Sequence, residues 1–130
     1  MVNSNNIEEI KKLNKEVKQL IKENKIIILD EFYDDMIKHQ IKKEIIDKAL
    51  VEGLHLEDCH LYPANVEEKH EGKNYYCVYK YKEIPFYLIE IKYILISYLK
   101  KISHITLFHT SFINYGSREQ RKYEELNKKL

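Results

Sequence analysis

The sequence predicts an α+β protein in which N-terminal helices pack on a twisted antiparallel β meander, followed by a C-terminal helix. Two observations predict this class. Apolar residues recur at helical spacing before Gly53, and beyond Gly53 they alternate with a period of two, as in strands. The chain has 130 residues, of which 44% are hydrophobic and 33% charged. It is therefore long enough to bury a core, and composed like a globular protein rather than a disordered one.

We expect one domain over residues 1–130. It would consist of an N-terminal helical extension (1–29), a core of two helices and a meander (30–110) and a C-terminal helix (111–130). The first helix is predicted over residues 6–24, because its apolar residues recur every three or four positions. These residues are Ile10, Leu13, Val17 and Leu20. The stripe is expected to pack on its own domain, and the alternative is a homodimer contact through 6–24.

Three features follow before the meander. Residues 25–29 contain three consecutive β-branched isoleucines and fit either a short strand or a continuing helix. Asp30 is the predicted N-cap of a second helix, whose inner face is expected to carry Phe32, Tyr33, Met36 and Ile37. A third helix is predicted over about 42–52, and Gly53 is expected to end it in the position that follows a helix C-terminus.

Beyond Gly53 the alternation predicts five strands, over residues 54–62, 65–69, 74–82, 86–96 and 102–110. Glu71-Gly72-Lys73-Asn74 resembles a hairpin turn, and so does Lys82-Glu83-Ile84-Pro85. Strands joined this closely pair in an antiparallel manner. After a break at residues 115–117, Ser117 is the predicted cap of the last helix.

The net charge of +1 conceals an uneven distribution. Residues 30–70 carry 11 acids against 5 lysines, and residues 71–130 carry 6 acids against 11 lysines and arginines. A basic half is typical of proteins that face phosphates or an acidic partner, although lysines exposed on a sheet and tail would give the same sum. Arg118 and Arg121 are the only arginines, and the guanidinium fork matches phosphate best.

The remaining composition bears on location and cofactors. The N-terminal residues lack the apolar segment of a secretory signal, and the longest apolar stretch, 84–99, is interrupted by Glu90 and Lys92. Without an export signal, Cys59 and Cys77 are expected to be reduced thiols in the cytoplasm. The interrupted apolar stretch predicts no membrane partner. Zinc ligands usually show a C-x-x-C or H-x-x-x-H spacing, which is absent, so we expect no metal and no cofactor.

Three segments match motifs of one family. Met36, His39 and Ile41 occupy the corresponding places of a helix pattern H-A-x-x-R-M-x-x-R-x-I, and residues 49–53 match a second helix ending in A-L-x-x-G. Residues 104–106 match a closing I-T-like strand. With these motifs, residues 30–110 resemble the RelE/ParE toxin superfamily, in particular its compact branch classed as a domain of unknown function (number forty-two fifty-eight).

The resemblance implies a RelE-like toxin of a toxin–antitoxin pair. Such toxins commonly cut messenger RNA on the ribosome, without a metal, by activating the ribose 2′-OH, and an antitoxin protein restrains them. The reaction needs a proton acceptor, a proton donor and cations on the phosphate. The candidate catalytic residues are His109, Tyr115 and Arg118. The candidate nucleic-acid contacts are Lys92, Arg121, Lys80 and Lys82.

Two further points bear on this hypothesis. His104 and His109 are five positions apart, so in a regular strand they point to opposite faces unless a bulge intervenes. Of the two, His109 is the better candidate, because it lies at the strand end near Tyr115 and Arg118. Aligned through Met36, two basic family positions fall on Glu31 and Asp35. These acids favour an alternative, a non-catalytic protein- or nucleic-acid-binding module on the same fold. An uncharacterised α+β protein is a further alternative.

Overall fold

The structure is a computed structural model that describes residues 7–58, 70–80, 87–99, 101–114 and 116–130, with only the backbone described at 70, 71 and 116–120. Within these ranges the helices are α1 (Ile7–Lys22), α2 (Asp30–His39), α3 (Lys43–Glu52) and α4 (Gly116–Lys128). The strands are β1 (Ile26–Ile28), β2 (Leu54–Glu57), β3 (His70–Lys80), β4 (Leu88–Tyr98) and β5 (Lys101–Ile113). Among the described residues, no helix is long and apolar enough to cross a membrane.

The predicted α+β class and the antiparallel meander are confirmed. The strands form one sheet in the order β1-β5-β4-β3-β2, and neighbouring strands from β2 to β5 pair antiparallel. Residues 25–29, which fit either a strand or a helix by sequence, contain the strand β1. It pairs parallel with β5 through Ile26↔Ile105 and Ile28↔Leu107. The sheet is therefore mixed, and the strand that follows α1 forms one of its edges.

Alternation along β4 divides the core between the two faces of the sheet. One face, here called the helix face, carries Ile89, Ile91, Tyr93 and Leu95 beneath α1, α2 and α3, which contribute Val17, Leu20, Phe32, Met36, Ile46 and Leu50. The prediction for the inner face of α2 is wrong for Tyr33 and Ile37, which are 44% and 77% exposed, because each follows a buried residue and is turned about 100° away from it around the helix. The opposite face, here called the α4 face, buries a smaller cluster. Its members are Ile10, Leu54, Leu56, Tyr76, Val78, Leu88, Tyr123 and Leu126. The stripe of α1 thus packs within the chain, on both clusters.

The predicted turn at Glu71-Gly72-Lys73-Asn74 is wrong. β3 continues through these residues, with Gly72 opposite Ile96 and Asn74 opposite Ile94. The apolar run of β4 extends to Tyr98 and supplies a partner for each of them, so cross-strand pairing outweighs the local turn preference. The predicted strand at 65–69 and the predicted turn at 82–85 lie outside the described residues.

The helix ends also differ from their predicted caps. Leu29, not Asp30, is the N-cap of α2, and it makes no side-chain capping bond, while Asp30 lies in the first turn where its charge suits the helix dipole. α4 begins at Gly116, one residue before the predicted cap Ser117. Gly53 ends α3 as predicted, but its backbone is extended (φ −73°) rather than left-handed.

Gly53 is required by space rather than by backbone freedom. A Cβ built on it would overlap the carbonyl oxygen of Ala49 and lie 2.5 Å from Cys77 Sγ and 2.9 Å from Val78 O. Its own N–H donates to Ala49 O at 2.7 Å. Gly53 therefore lets the end of α3 approach β3 closely enough for β2 to pair with that strand.

Gly53→Ala should lower the free energy of unfolding by about 1 to 3 kcal/mol, because the added methyl overpacks a contact formed largely by backbone atoms. Urea denaturation followed by circular dichroism measures it. Val51→Ala is the matched control, since Val51 lies two residues earlier and is half exposed, and its effect should stay near zero. Equal stabilities of Gly53→Ala and the wild type would contradict the steric assignment.

A buried polar network joins α1, α3 and the sheet. His55 is fully buried, with Nδ1 2.9 Å from the Tyr93 hydroxyl and Nε2 2.8 Å from Leu50 O. A carbonyl only accepts, so Nε2 carries the proton and Nδ1 accepts from Tyr93. The Asn14 amide of α1 accepts from His55 N–H and donates to His55 O, both at 2.9 Å. Asn14 thereby takes the place of a neighbouring strand at the outer edge of β2.

Burial lowers the pKa of His55 from 6.5 to about 4. The unfolded chain therefore binds a proton at a pH where the folded protein does not, and stability falls as pH drops from 6.5 to 4. The loss due to His55 should reach about 3 kcal/mol. Urea unfolding across this range measures it, and His55→Gln should show a correspondingly shallower pH dependence. Parallel curves for the two proteins would show that His55 contributes nothing.

Candidate functional site

The α4 face brings two predicted site residues together. The register of the sheet places Lys92 of β4 directly opposite His109 of β5 on one side and opposite Tyr76 of β3 on the other. Side chains at paired positions lie on the same face of a sheet and within contact distance. Lys92 and His109 are therefore neighbours, with 29% and 40% of their side chains exposed.

A bulge in β5 sets the direction of His109. Lys92 pairs with His109, but the next residue of β4, Tyr93, pairs with Leu107, so Phe108 is an extra residue in β5. Because His104 pairs with Ile96, both histidines oppose even-numbered positions of β4 and share the α4 face. The expectation that the two histidines face opposite ways is thus wrong. His109 is also not at the strand end, because β5 continues to Ile113 along β4. Their β4 partners are four positions apart, which separates them by roughly 13 Å.

The imidazole of His109 is held from α2. Its Nδ1 lies 2.8 Å from Asp35 Oδ2, and the same oxygen accepts the backbone N–H of Thr110 at 3.3 Å. β1 ends at Ile28 after pairing as far as Leu107, so beyond this point the β5 edge has no strand beside it. α2 follows β1 almost at once, and Asp35 supplies the missing acceptor.

The cation of Lys92 is also accompanied by a carboxylate. Glu90 precedes it by two positions on the same face of β4, and the two charged groups lie 3.8 Å apart. The Glu90 side chain is only 9% exposed. The site thus combines an imidazole and an ammonium, both partly open to solvent, with one carboxylate beside each.

The other predicted contacts lie elsewhere. Lys80, at the far end of β3, forms an ion pair with Glu124 of α4, and its ammonium lowers the pKa of that carboxyl. Arg121 is exposed on α4, one turn before Glu124. Tyr115, Lys82 and the side chain of Arg118 lie outside the described residues. Within the described part of the chain, the predicted residues that come together are therefore His109 and Lys92.

Sequence reasoning missed two members of the site. Glu90 and Lys92 interrupt an apolar strand two positions apart, which is a readable sign of a charged pair on one face. The sequence marks Asp35 only as an acid at a position that is basic in the superfamily it resembles. Its contact with His109 spans 74 positions of sequence, and no local pattern reports such a contact.

Cys77 and His55 are residue types that could bind zinc, but both make hydrogen bonds within the protein. Cys77 is buried and its thiol donates to Ala49 O at 3.2 Å, and both ring nitrogens of His55 are bonded. In the described ranges, no three His, Cys, Asp or Glu side chains are grouped as metal ligands. Cys59 and His60 lie outside those ranges.

Comparisons of the chain with protein-family models, curated proteins and solved structures gave no match. The geometry of the site and the sequence motifs therefore carry the functional argument.

Proposed function

We propose that this protein is a RelE-like toxin that cleaves RNA without a metal, free or on the ribosome, and that an antitoxin protein restrains it. His109 is the proton-transferring residue and Lys92 the cation that faces the scissile phosphate. The observation that carries the proposal is the cross-strand pair Lys92↔His109 on a partly exposed sheet face.

The chemistry asks for groups of these two kinds. The ribose 2′-oxygen attacks the adjacent phosphorus, its proton passes to a base, and the 5′-oxygen leaves with a proton from an acid. An imidazole can accept the first proton near neutral pH. An ammonium beside it stabilises the negative charge that develops on the phosphate oxygens. Tyr115 and Arg118, which follow β5 directly in sequence, remain the predicted donor and second cation.

Features outside the pair also support the proposal. α2, α3 and the strands β2 to β5 follow the order that the resemblance implies, two short helices and then an antiparallel meander. Arg121 is exposed on α4 and suits contact with the RNA backbone, and Lys80 and Lys82 are proposed to extend that contact. The proposal needs no dimer through residues 6–24, because that stripe packs within the chain.

A second candidate is a non-catalytic module that binds a protein or nucleic acid. The carboxylates Asp35 and Glu90 favour it, since they lie beside His109 and Lys92 and offset positive charge at the site. A phosphate would meet a weaker attraction there than at two unaccompanied cations. Binding without cleavage is the outcome that would select this candidate.

Purified protein should cut free single-stranded RNA with chelator present, or messenger RNA on a translating ribosome in ordinary buffer. His109→Ala should lower the rate by about 100-fold or more, because it removes a general acid–base group. Lys92→Ala should lower it by about tenfold or more through lost phosphate stabilisation. Gel analysis of end-labelled RNA measures both.

His104→Ala is the matched control, because His104 lies on the same strand and face but roughly 13 Å away. It should cut at the wild-type rate. If the wild type cuts no RNA in either setting, the enzymatic proposal fails, and RNA affinity measured on the same samples tests the binding module.

In cells, induced expression of the wild type should arrest growth, since cleavage of messenger RNA stops translation. Expression of His109→Ala at the same level should permit growth, and expression of His104→Ala should arrest it. Growth curves with immunoblotting for equal protein levels measure this. Normal growth with the wild type, or arrest that persists in His109→Ala, would contradict a toxic activity based on this site.

A further inference from the structure

Asp35 makes two contacts through a single oxygen atom. Oδ2 lies 2.8 Å from His109 Nδ1 and accepts the N–H of Thr110 at 3.3 Å. The first contact is as short as a charge-assisted hydrogen bond. In the described part of the chain, Nδ1 is the only ring nitrogen of His109 with a bonding partner, and the side chain is 40% exposed. The imidazole therefore presents Nε2 away from the carboxylate.

We propose that Asp35 is a positioning residue for His109. An ionised carboxylate accepts hydrogen bonds and donates none, so it selects the tautomer with hydrogen on Nδ1. Nε2 then holds the free lone pair and becomes the proton acceptor. The catalytic consequence of this assignment rests on the proposed function, whereas the tautomer itself does not.

The arrangement also assists the charged state of the reaction. When Nε2 takes up a proton, the imidazolium lies 2.8 Å from the carboxylate oxygen, and their attraction stabilises it. Buried carboxylates behind catalytic histidines act in this way in hydrolase triads, where they fix the tautomer and orientation without taking the proton. The Asp35 side chain is 22% exposed, so water weakens the attraction without removing it.

A purely structural role for Asp35 is the competing explanation. Thr110 N–H lies at the strand edge and needs an acceptor, and Asp35 provides it. This need alone would account for an acceptor at position 35. The two roles differ in what they predict for His109. An edge acceptor leaves the tautomer of His109 free, whereas a positioning residue fixes it.

The tautomer can be read directly by long-range ¹H–¹⁵N NMR of the histidine rings at pH 8.5, where imidazoles are ordinarily neutral. In the wild type, His109 should carry its hydrogen on Nδ1. In Asp35→Ala the ratio of the Nδ1–H to the Nε2–H form should fall at least tenfold. Asp34→Ala is the matched control, since Asp34 is the exposed neighbour on the same helix, and it should leave the ratio unchanged.

Kinetics on RNA supply the second readout. Asp35→Ala should lower kcat by about 10- to 100-fold with KM nearly unchanged, since Asp35 acts through His109 rather than on the substrate. Asp35→Asn keeps an oxygen for Thr110 N–H but loses the charge, so it should fold and still lose about tenfold in kcat. An Asp35→Asn variant with wild-type kcat would overturn the catalytic part of the proposal.

Different results would contradict the positioning role of Asp35 and the toxin function. A wild-type His109 with hydrogen on Nε2, or an Asp35→Ala spectrum with an unchanged ratio, overturns the positioning role even if RNA is cut. If the wild type cuts no RNA, the toxin proposal fails, and the tautomer measurement alone decides whether Asp35 fixes His109. Should Asp35→Ala not fold, the wild-type spectrum still excludes or supports the assigned tautomer.

Discussion

The open edges of the five-stranded sheet are the constraint on which the rest of this structure depends. An unpaired strand edge leaves donors and acceptors that the protein must satisfy or shield. At β2 a single side chain, Asn14 of α1, both donates to and accepts from the backbone of His55. At β5, where β1 ends, Asp35 of α2 accepts from Thr110. Polar side chains from two helices thus supply hydrogen-bond partners to backbone groups near the two opposite edges of the sheet.

At the β2 edge, the polar contact is combined with core packing. His55, whose backbone Asn14 holds, buries its ring against Tyr93 and bonds Leu50 at the end of α3. α3 can approach this closely because Gly53 has no side chain between Ala49 and Cys77. The network therefore ties α1, α3, β2 and β4 together, and protonation of His55 would place a charge in its buried centre.

At the β5 edge, a helix side chain again bonds to the strand backbone, and here it also contributes to the candidate site. The bulge at Phe108 turns His109 onto the α4 face beside Lys92, and the acceptor that satisfies Thr110 is the one that meets the imidazole. A residue required for the edge is thereby placed next to a residue suited to proton transfer. Asp35 therefore contributes both to the sheet edge and to the geometry of the candidate site.

Local pattern determined most of the elements and one half of the site. The spacing of Ile10, Val17 and Leu20 located α1, and alternation located the meander and placed Lys92 in it. Tertiary structure alone decided the long β3, the parallel β1, the bulge in β5 and the contact of Asp35 with His109. The physical reason is range: spacing reports which residues share a face of one element, whereas register depends on a partner strand, and the edge contacts of Asn14 and Asp35 span 41 and 74 positions.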